Sequence, residues 1–339
     1  MKVVNQSYQI LNYSAGHELE HIERIGRLCY KSEDKITDDG ESAKRFVKML
    51  VDHNHLAMIE HASVAFRVTR ATYNELQYAA HLFETYTGQL CQLRFSDVDI
   101  LRLTVSGNLR AWKELFDLSK EIKLDRLPRT MLSEFDSMPE IFNSEGFDRL
   151  IGIGTESSEK VSRDYFAEWM QRHSDTRETD MHCSVSVKFI TDRGISHEIV
   201  RHRPASFAQE STRYVNYSKD KFGSEIQVID PFTAIQYDSK MITLDKDLIE
   251  TMHSNWKEAM ESAEEKYMSL ITAGATPQIA RSVLPNSTKT EIVMTANYAE
   301  WKHFFALRTA PAAHPQIREL CIPLAHDLRS ILYPLGIQE

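Results

Sequence analysis

Cysteine is scarce. Four occur in 339 residues, Cys29, Cys91, Cys183 and Cys321, and no two stand as Cys-x-x-Cys. That argues against a disulfide framework or a thiolate zinc site and fits a reducing cytosol. The 12 glycines never gather into a Gly-x-Gly-x-x-Gly or P-loop pattern. A dinucleotide, if one binds, must be held by another architecture. No apolar run approaches the ~20 residues of a membrane helix. Residues 1–13 hold no basic stretch followed by an apolar one, so no signal peptide and no membrane partner are expected, and the expected location is cytoplasmic. Basic charge is also short: 40 Lys and Arg against 49 Asp and Glu give a net charge of −9. General nucleic-acid binders usually carry the opposite balance, so no nucleic-acid partner is expected. No solenoid repeat and no low-complexity stretch occurs.

What remains is ordinary globular composition, 42% hydrophobic and 26% charged, long enough to bury a core without staples. Residues 2–13 read as a strand entering a turn. Ser14 is a candidate cap for a helix over about 15–29, with a second helix over 41–53. Residues 62–69 alternate, Val64, Phe66 and Val68 against Ser63, Ala65 and Arg67, which predicts a half-buried strand. Residues 183–190 do the same with Val185, Val187 and Phe189, and Cys183 reads as a buried, inert thiol in that strand. The region 70–181 between them reads as a mostly helical insertion. A long amphipathic helix is expected over 247–273, with Leu248, Met252, Trp256, Met260, Tyr267 and Leu270 on its buried face. Thr276 and Pro277 open a short helix, 290–296 form a strand, Asn297 caps a helix over 298–307, and a last helix spans 315–332.

Residues 193–213 concentrate Arg193, His197, Arg201, His202, Arg203 and Arg213 in an otherwise acidic chain, followed by Ser206, Gln209, Ser211 and Thr212. Guanidinium forks with hydroxyls and amides suit a phosphate-bearing ligand. The bland alternative is a solvated basic helix end. A zinc-protease reading of His197-Glu198 fails, because position 201 is Arg and His202 lies one residue too far along the helix. No metal site is expected. No Gly-x-Ser-x-Gly elbow surrounds Ser206 or Ser211, so a serine nucleophile is not expected either.

Arg201-His202-Arg203, seven residues, then Ser211 resembles the R-H-R-x7-S signature of the flavin-dependent thymidylate synthases. The wider run RHRPASFAQESTRY is similar to that family beyond the minimal motif. His53-Asn54-His55 followed by Glu60-His61 resembles a second family block. Ala280-Arg281-Ser282-Val283-Leu284-Pro285, then Asn297, Leu307-Arg308 and His314, resembles a third. The resemblance covers roughly 1–69 and 183–335. It implies an α+β fold: a mixed core with a small antiparallel sheet flanked by helices, in a single domain over 1–339, with 70–181 as the insertion.

The same resemblance implies a homotetramer with active sites at subunit interfaces. It implies reductive methylation of dUMP to dTMP, with methylenetetrahydrofolate as carbon donor, FAD as hydride carrier and NADPH as reductant. It assigns the dUMP site to Glu198, Arg201, Gln209, Glu210, Ser211, Arg213, Arg281 (from a neighbouring subunit) and Arg308. Arg308 is the expected catalytic residue, set against the uracil ring where a cation would stabilise charge developing on the base. The FAD site is assigned to His55, Arg201, His202, Arg203, Asn297 and His303. The ordinary reading of His55 is a hydrogen-bonded structural histidine, and of Arg281 a surface charge. Three positions depart from the compact pattern: Glu198 stands for a Gln, Ala57 for a hydroxyl residue, and His314 is offset. A carboxylate cannot donate a hydrogen bond, so Glu198 either faces an arginine or has another task. Hydroxymethylation of dUMP and a non-catalytic nucleotide-binding homologue stand as alternatives.

Overall fold

The computed structural model describes residues 1–11, 13–99, 102–119, 127–143, 158–161, 176–213, 216–219 and 223–332. Its order is β1 (Lys2–Val4), β2 (Ser7–Leu11), α1 (Glu18–Tyr30), α2 (Glu41–Asp52), β3 (Ser63–Val68), α3 (Arg70–Thr87), β4 (Arg94–Asp99), β5 (Arg102–Asn108), α4 (Leu109–Ser119), α5 (Arg129–Asp136), β6 (Ser158–Lys160), α6 (Arg177–His182), β7 (Ser184–Asp192), α7 (Arg193–Ile199), β8 (Ser206–Gln209), β9 (Gln227–Ile229), α8 (Lys246–Thr272), α9 (Pro277–Ala280), β10 (Lys289–Asn297), α10 (Tyr298–Arg308) and α11 (Pro315–Leu332). The fold is α+β, with small antiparallel sheets flanked by helices.

Two four-stranded antiparallel sheets organise it, one in the order β2-β7-β10-β8 and one in the order β4-β5-β3-β6. A parallel pair, β1 and β9, stands apart. The first sheet packs Val185, Val187 and Phe189 of β7 and Ile292 and Met294 of β10 against Trp301, Phe304 and Leu324 of the two C-terminal helices. Apolar positions two apart on a strand meet helical stripes three and four apart, which is why alternation in 183–190 was legible as a strand. The second sheet shares a larger core with α2, α3, α4 and α5 around Phe66, Trp112 and Phe135.

Three expectations need revision. The region 70–181 carries helices, but β4, β5 and β6 within it pair with one another or with β3, so it is a lobe with its own sheet. Its parts at 120–126, 144–157 and 162–175 lie outside the described residues. The long helix α8 buries only Met260 and Tyr267; Leu248 is 44% exposed. Helix α1 begins at Glu18 with His17 at its N-cap, and Ser14 contributes only its carbonyl, which accepts from the His17 N–H. Among the described residues no helix is long and apolar enough to cross a membrane.

Candidate functional site

The basic cluster begins where β7 hands the chain to α7. Asp192 caps that helix by accepting from the Ile195 N–H at 2.7 Å. Its last turn carries Glu198, and Arg201, His202 and Arg203 follow in the turn beyond it. Arg201 and Arg203 are exposed and His202 is buried. Helix α10 lies alongside, capped by Asn297, whose side chain accepts from the Glu300 N–H.

These two helix ends meet. Arg308 at the end of α10 donates through Nη1 to the Glu198 carboxylate at 3.2 Å and through Nη2 to the Glu198 carbonyl at 2.7 Å. Glu198, the departure from Gln, therefore faces an arginine. The His202 ring lies 5.2 Å from His303 and 5.5 Å from Phe304, both edge-on. His202 Nε2 approaches Glu300 Oε2 at 3.3 Å without hydrogen-bond alignment, so a buried ring nitrogen is left without a partner. Burial lowers the His202 pKa and Glu300 works against that. The lowered pKa favours the uncharged ring, one nitrogen a donor and the other an acceptor.

Sequence reasoning missed Glu300, which the N3 position of a capped helix next to a buried histidine would have suggested. It also missed Arg94, which belongs to the second lobe. Burial lowers the Arg94 pKa and the nearby Glu300 carboxylate raises it. Among the described residues, His202, Glu300 and His303 are a grouping whose ligand atoms lie within 4.8 Å of one another, as a metal would require. Arg94 bears on Glu300 and Arg308 on His202, and two guanidinium charges beside it disfavour a cation.

A second grouping lies along the loop after β8. Ser211 donates its N–H to the Cys29 carbonyl at 3.2 Å, and its Oγ accepts from the Arg213 N–H at 3.3 Å. Arg213 is exposed. Arg281, in the short turn after α9, reaches Thr212 Oγ1 of its own chain at 3.4 Å. Gln209 points elsewhere, donating to Ser196 Oγ at 2.8 Å and Thr290 Oγ1 at 3.2 Å. Glu210 turns inward, where Lys289 lies 3.2 Å away and Lys31 3.7 Å away. Glu291 shares both lysines. Burial alone would raise the Glu291 carboxyl, but Lys289 and Lys31 outweigh it and hold it at about 2. Glu210 is thus placed to shape the loop rather than to meet an anion.

His55 is exposed and lines an open groove of about 470 Å³ with Arg27, Tyr30, Lys31, Lys35, Met49 and His53. Its ring lies 6.3 Å from that of His53. Lys31 belongs both to this groove and to the lysine–carboxylate cluster beneath Ser211, so the groove adjoins the loop. Asn297 is buried with both ends of its amide engaged, Oδ1 by the Glu300 N–H and Nδ2 by the Met181 carbonyl at 3.1 Å. His303 is exposed at the rim.

The chain matches the family model described as thymidylate synthase complementing protein over residues 9–81 and 137–332. It is similar to the flavin-dependent thymidylate synthase of Mycobacterium sp. (strain KMS), 34% identical over 174 residues, which is 46% of this chain and 65% of that protein. The flavin-dependent thymidylate synthase of Mycolicibacterium gilvum (strain PYR-GCK) is 35% identical over 156 residues, 44% of this chain and 59% of its own. That of Mycobacterium tuberculosis (strain ATCC 25177 / H37Ra) is 31% identical over the same length and shares. The chain thus spans less than two thirds of the length of each of these relatives. The matched segments hold every residue of both groupings except Arg94, and on that match the chain belongs to the thymidylate synthase complementing protein family.

Proposed function

We propose that this chain is an enzyme that methylates dUMP to dTMP, with methylenetetrahydrofolate as carbon donor, FAD as hydride carrier and NADPH as reductant. The observation that carries the reading is the meeting of α7 and α10, where Arg308 and the Arg201–Arg203 turn stand together inside an acidic chain. The methylene unit of the folate must gain two electrons to become a methyl group. The balance is dUMP, methylenetetrahydrofolate, NADPH and a proton giving dTMP, tetrahydrofolate and NADP⁺.

The residues present fit such ligands. Ser211, Arg213 and Arg281 form a hydroxyl and guanidinium set for the dUMP phosphate. Gln209 and Glu210 hold the loop in place from behind. Arg201, Arg203, His303 and the orphaned His202 ring nitrogen suit the flavin and its phosphates, with His55 on the groove side. Asn297 serves that site by fixing the first turn of α10. Bound FAD would supply the hydride. Arg308 would sit against the uracil ring and stabilise the negative charge that makes C5 a carbon nucleophile. The chain's share of the work is orientation and charge. A homotetramer with interfacial sites, located in the cytoplasm, is the assembly that the family resemblance favours.

The test is an anaerobic incubation of the purified protein with dUMP, methylenetetrahydrofolate, NADPH and FAD, with products read by mass spectrometry. The expected product has the mass of dTMP. A 5-hydroxymethyl-dUMP mass would keep the site and change the final step. No modified nucleotide would overturn the reading.

A further inference from the structure

The two sheets are copies of one design. Read from the outer strand inward, one runs β2-β7-β10-β8 and the other β6-β3-β5-β4, every pair antiparallel. Their registers coincide: Ser184 pairs with Asn297 as Ser63 pairs with Asn108, and Phe207 faces Met294 as Phe95 faces Val105. Both asparagines accept from a backbone N–H three residues on, Asn297 from Glu300 at 3.0 Å and Asn108 from Ala111 at 2.8 Å. Four residues after each asparagine stands a fully buried tryptophan, Trp301 and Trp112. The Tyr298 N–H donates to Cys183 O and the Leu109 N–H to Ala62 O. Asp192 and Thr69 each cap the helix after the first strand of the unit by accepting from a residue three along, Ile195 and Thr72.

The copies also exchange a residue. His61, two before Ser63 of the first copy, places Nδ1 2.7 Å from Thr295 Oγ1 in the second. His182, two before Ser184 of the second copy, places Nδ1 2.7 Å from Ser106 Oγ in the first. Thr295 and Ser106 hold equivalent positions, each two residues before its capping asparagine. Reciprocal contact of equivalent residues is what a two-fold subunit interface produces.

We infer that residues 61–119 are a degenerate second copy of the site-bearing unit, kept within the chain as a fixed neighbouring lobe that binds no anionic ligand. Aligned on the helix caps, Arg201-His202-Arg203 corresponds to Tyr78-Ala79-Ala80. Aligned on β8 and β4, Gln209 and Ser211 correspond to Asp97 and Asp99. Aligned on the asparagines, Arg308 corresponds to Ser119. None of Arg201, His202, Arg203 and Arg308 has a cationic counterpart, and an acidic residue, Asp99, takes the sequence position of Ser211. The copy also departs in length: α3 has 18 residues where α7 has 7. The chain therefore carries one nucleotide site, and the contact that subunits of a single-copy protein would make between chains is made here within one. Only the ligand count rests on the proposed reaction; the duplication does not.

The full-length chain tests this. Trp112 and Trp301 report one copy each, and replacing the other three tryptophans with Phe isolates either signal. Under urea both should report the same unfolding midpoint. Ser106→Ala and Thr295→Val, mild changes that remove one hydroxyl each, should each move both midpoints down together. Separate midpoints, or a Ser106→Ala shift felt by Trp112 alone, would show an independent insertion and overturn the inference. Titration with dUMP should give one nucleotide per chain, and two would overturn the claim that the first copy binds none. No dUMP binding with coincident midpoints would sink the proposed reaction while supporting the duplication.

Discussion

Arg308 rests on Glu198 through two contacts of different character, a carboxylate at 3.2 Å and a backbone carbonyl at 2.7 Å. The carbonyl contact orients the guanidinium, and the carboxylate offsets part of its charge. The arginine is therefore held in position before a substrate arrives, which lowers the ordering cost of binding. Arg308→Ala should abolish dTMP formation while leaving the fold and bound flavin in place. Near-normal turnover in that variant would remove the base-activation role.

Glu198→Gln separates the two contacts. The amide keeps a hydrogen-bond acceptor for Arg308, and the removed negative charge leaves the site more positive. A half-exposed pair of this kind is worth at most about 1 kcal/mol, so dUMP affinity should rise by no more than about fivefold. Calorimetric titration checks it, and weaker binding in the variant would place Glu198 in direct contact with the nucleotide.

Ser211 offers its hydroxyl at the loop tied to Cys29 and Arg213. A hydrogen bond to a charged phosphate contributes about 1.5–3 kcal/mol. Ser211→Ala should weaken dUMP binding by at least about tenfold and leave flavin reduction by NADPH alone little changed. An unaltered dUMP affinity would move Ser211 out of the site.

Much of this arrangement was legible. The alternating runs beginning at Ser63 and Ser184 and the asparagine cap of α10 each follow from a local rule, and each stands where the rule placed it. The second sheet was not legible. The β4 segment Arg94–Asp99 is rich in charged residues, and polar strands give little periodic signal. The solvent face of α8 was misjudged because period alone cannot say whether a stripe finds a partner; Leu248 does not. The inward turn of Glu210 depends on Lys31 and Lys289, which lie far away in sequence. The duplication escaped because the copies conserve register positions, caps and tryptophans, while most side chains between them differ.

Three of the buried histidines make the fold acid-sensitive. Burial lowers His61 and His182 to about 3 and His21 to about 4; neighbouring His21, Arg94 and Arg24 push in the same direction. Each folded-state value lies below the ordinary ~6.5, so the unfolded chain binds protons more readily. Their stabilising effect is complete above pH 6.5 and is lost as pH falls from there toward 4 and 3. Melting temperature should therefore drop between pH 7 and pH 5. Removing one such group with His61→Gln should flatten the dependence, and an unchanged slope would show that His61 does not titrate with unfolding.

Asn297 distinguishes a ligand contact from a positioning role. Its amide caps α10 through the Glu300 N–H and ties that cap to Met181, so each end of the side chain already has one partner. Losing an N-cap costs about 1 kcal/mol, and a buried carbonyl left without its donor adds about 1–3. Asn297→Ala should lower the melting temperature by several degrees, while Asn297→Asp, which restores the cap acceptor, should recover part of that loss. Because the proposed flavin site includes residues of α10, FAD affinity should follow stability across the two variants. A variant that melts like the parent but has lost FAD would instead make Asn297 a direct contact, through its second N–H or its second oxygen lone pair.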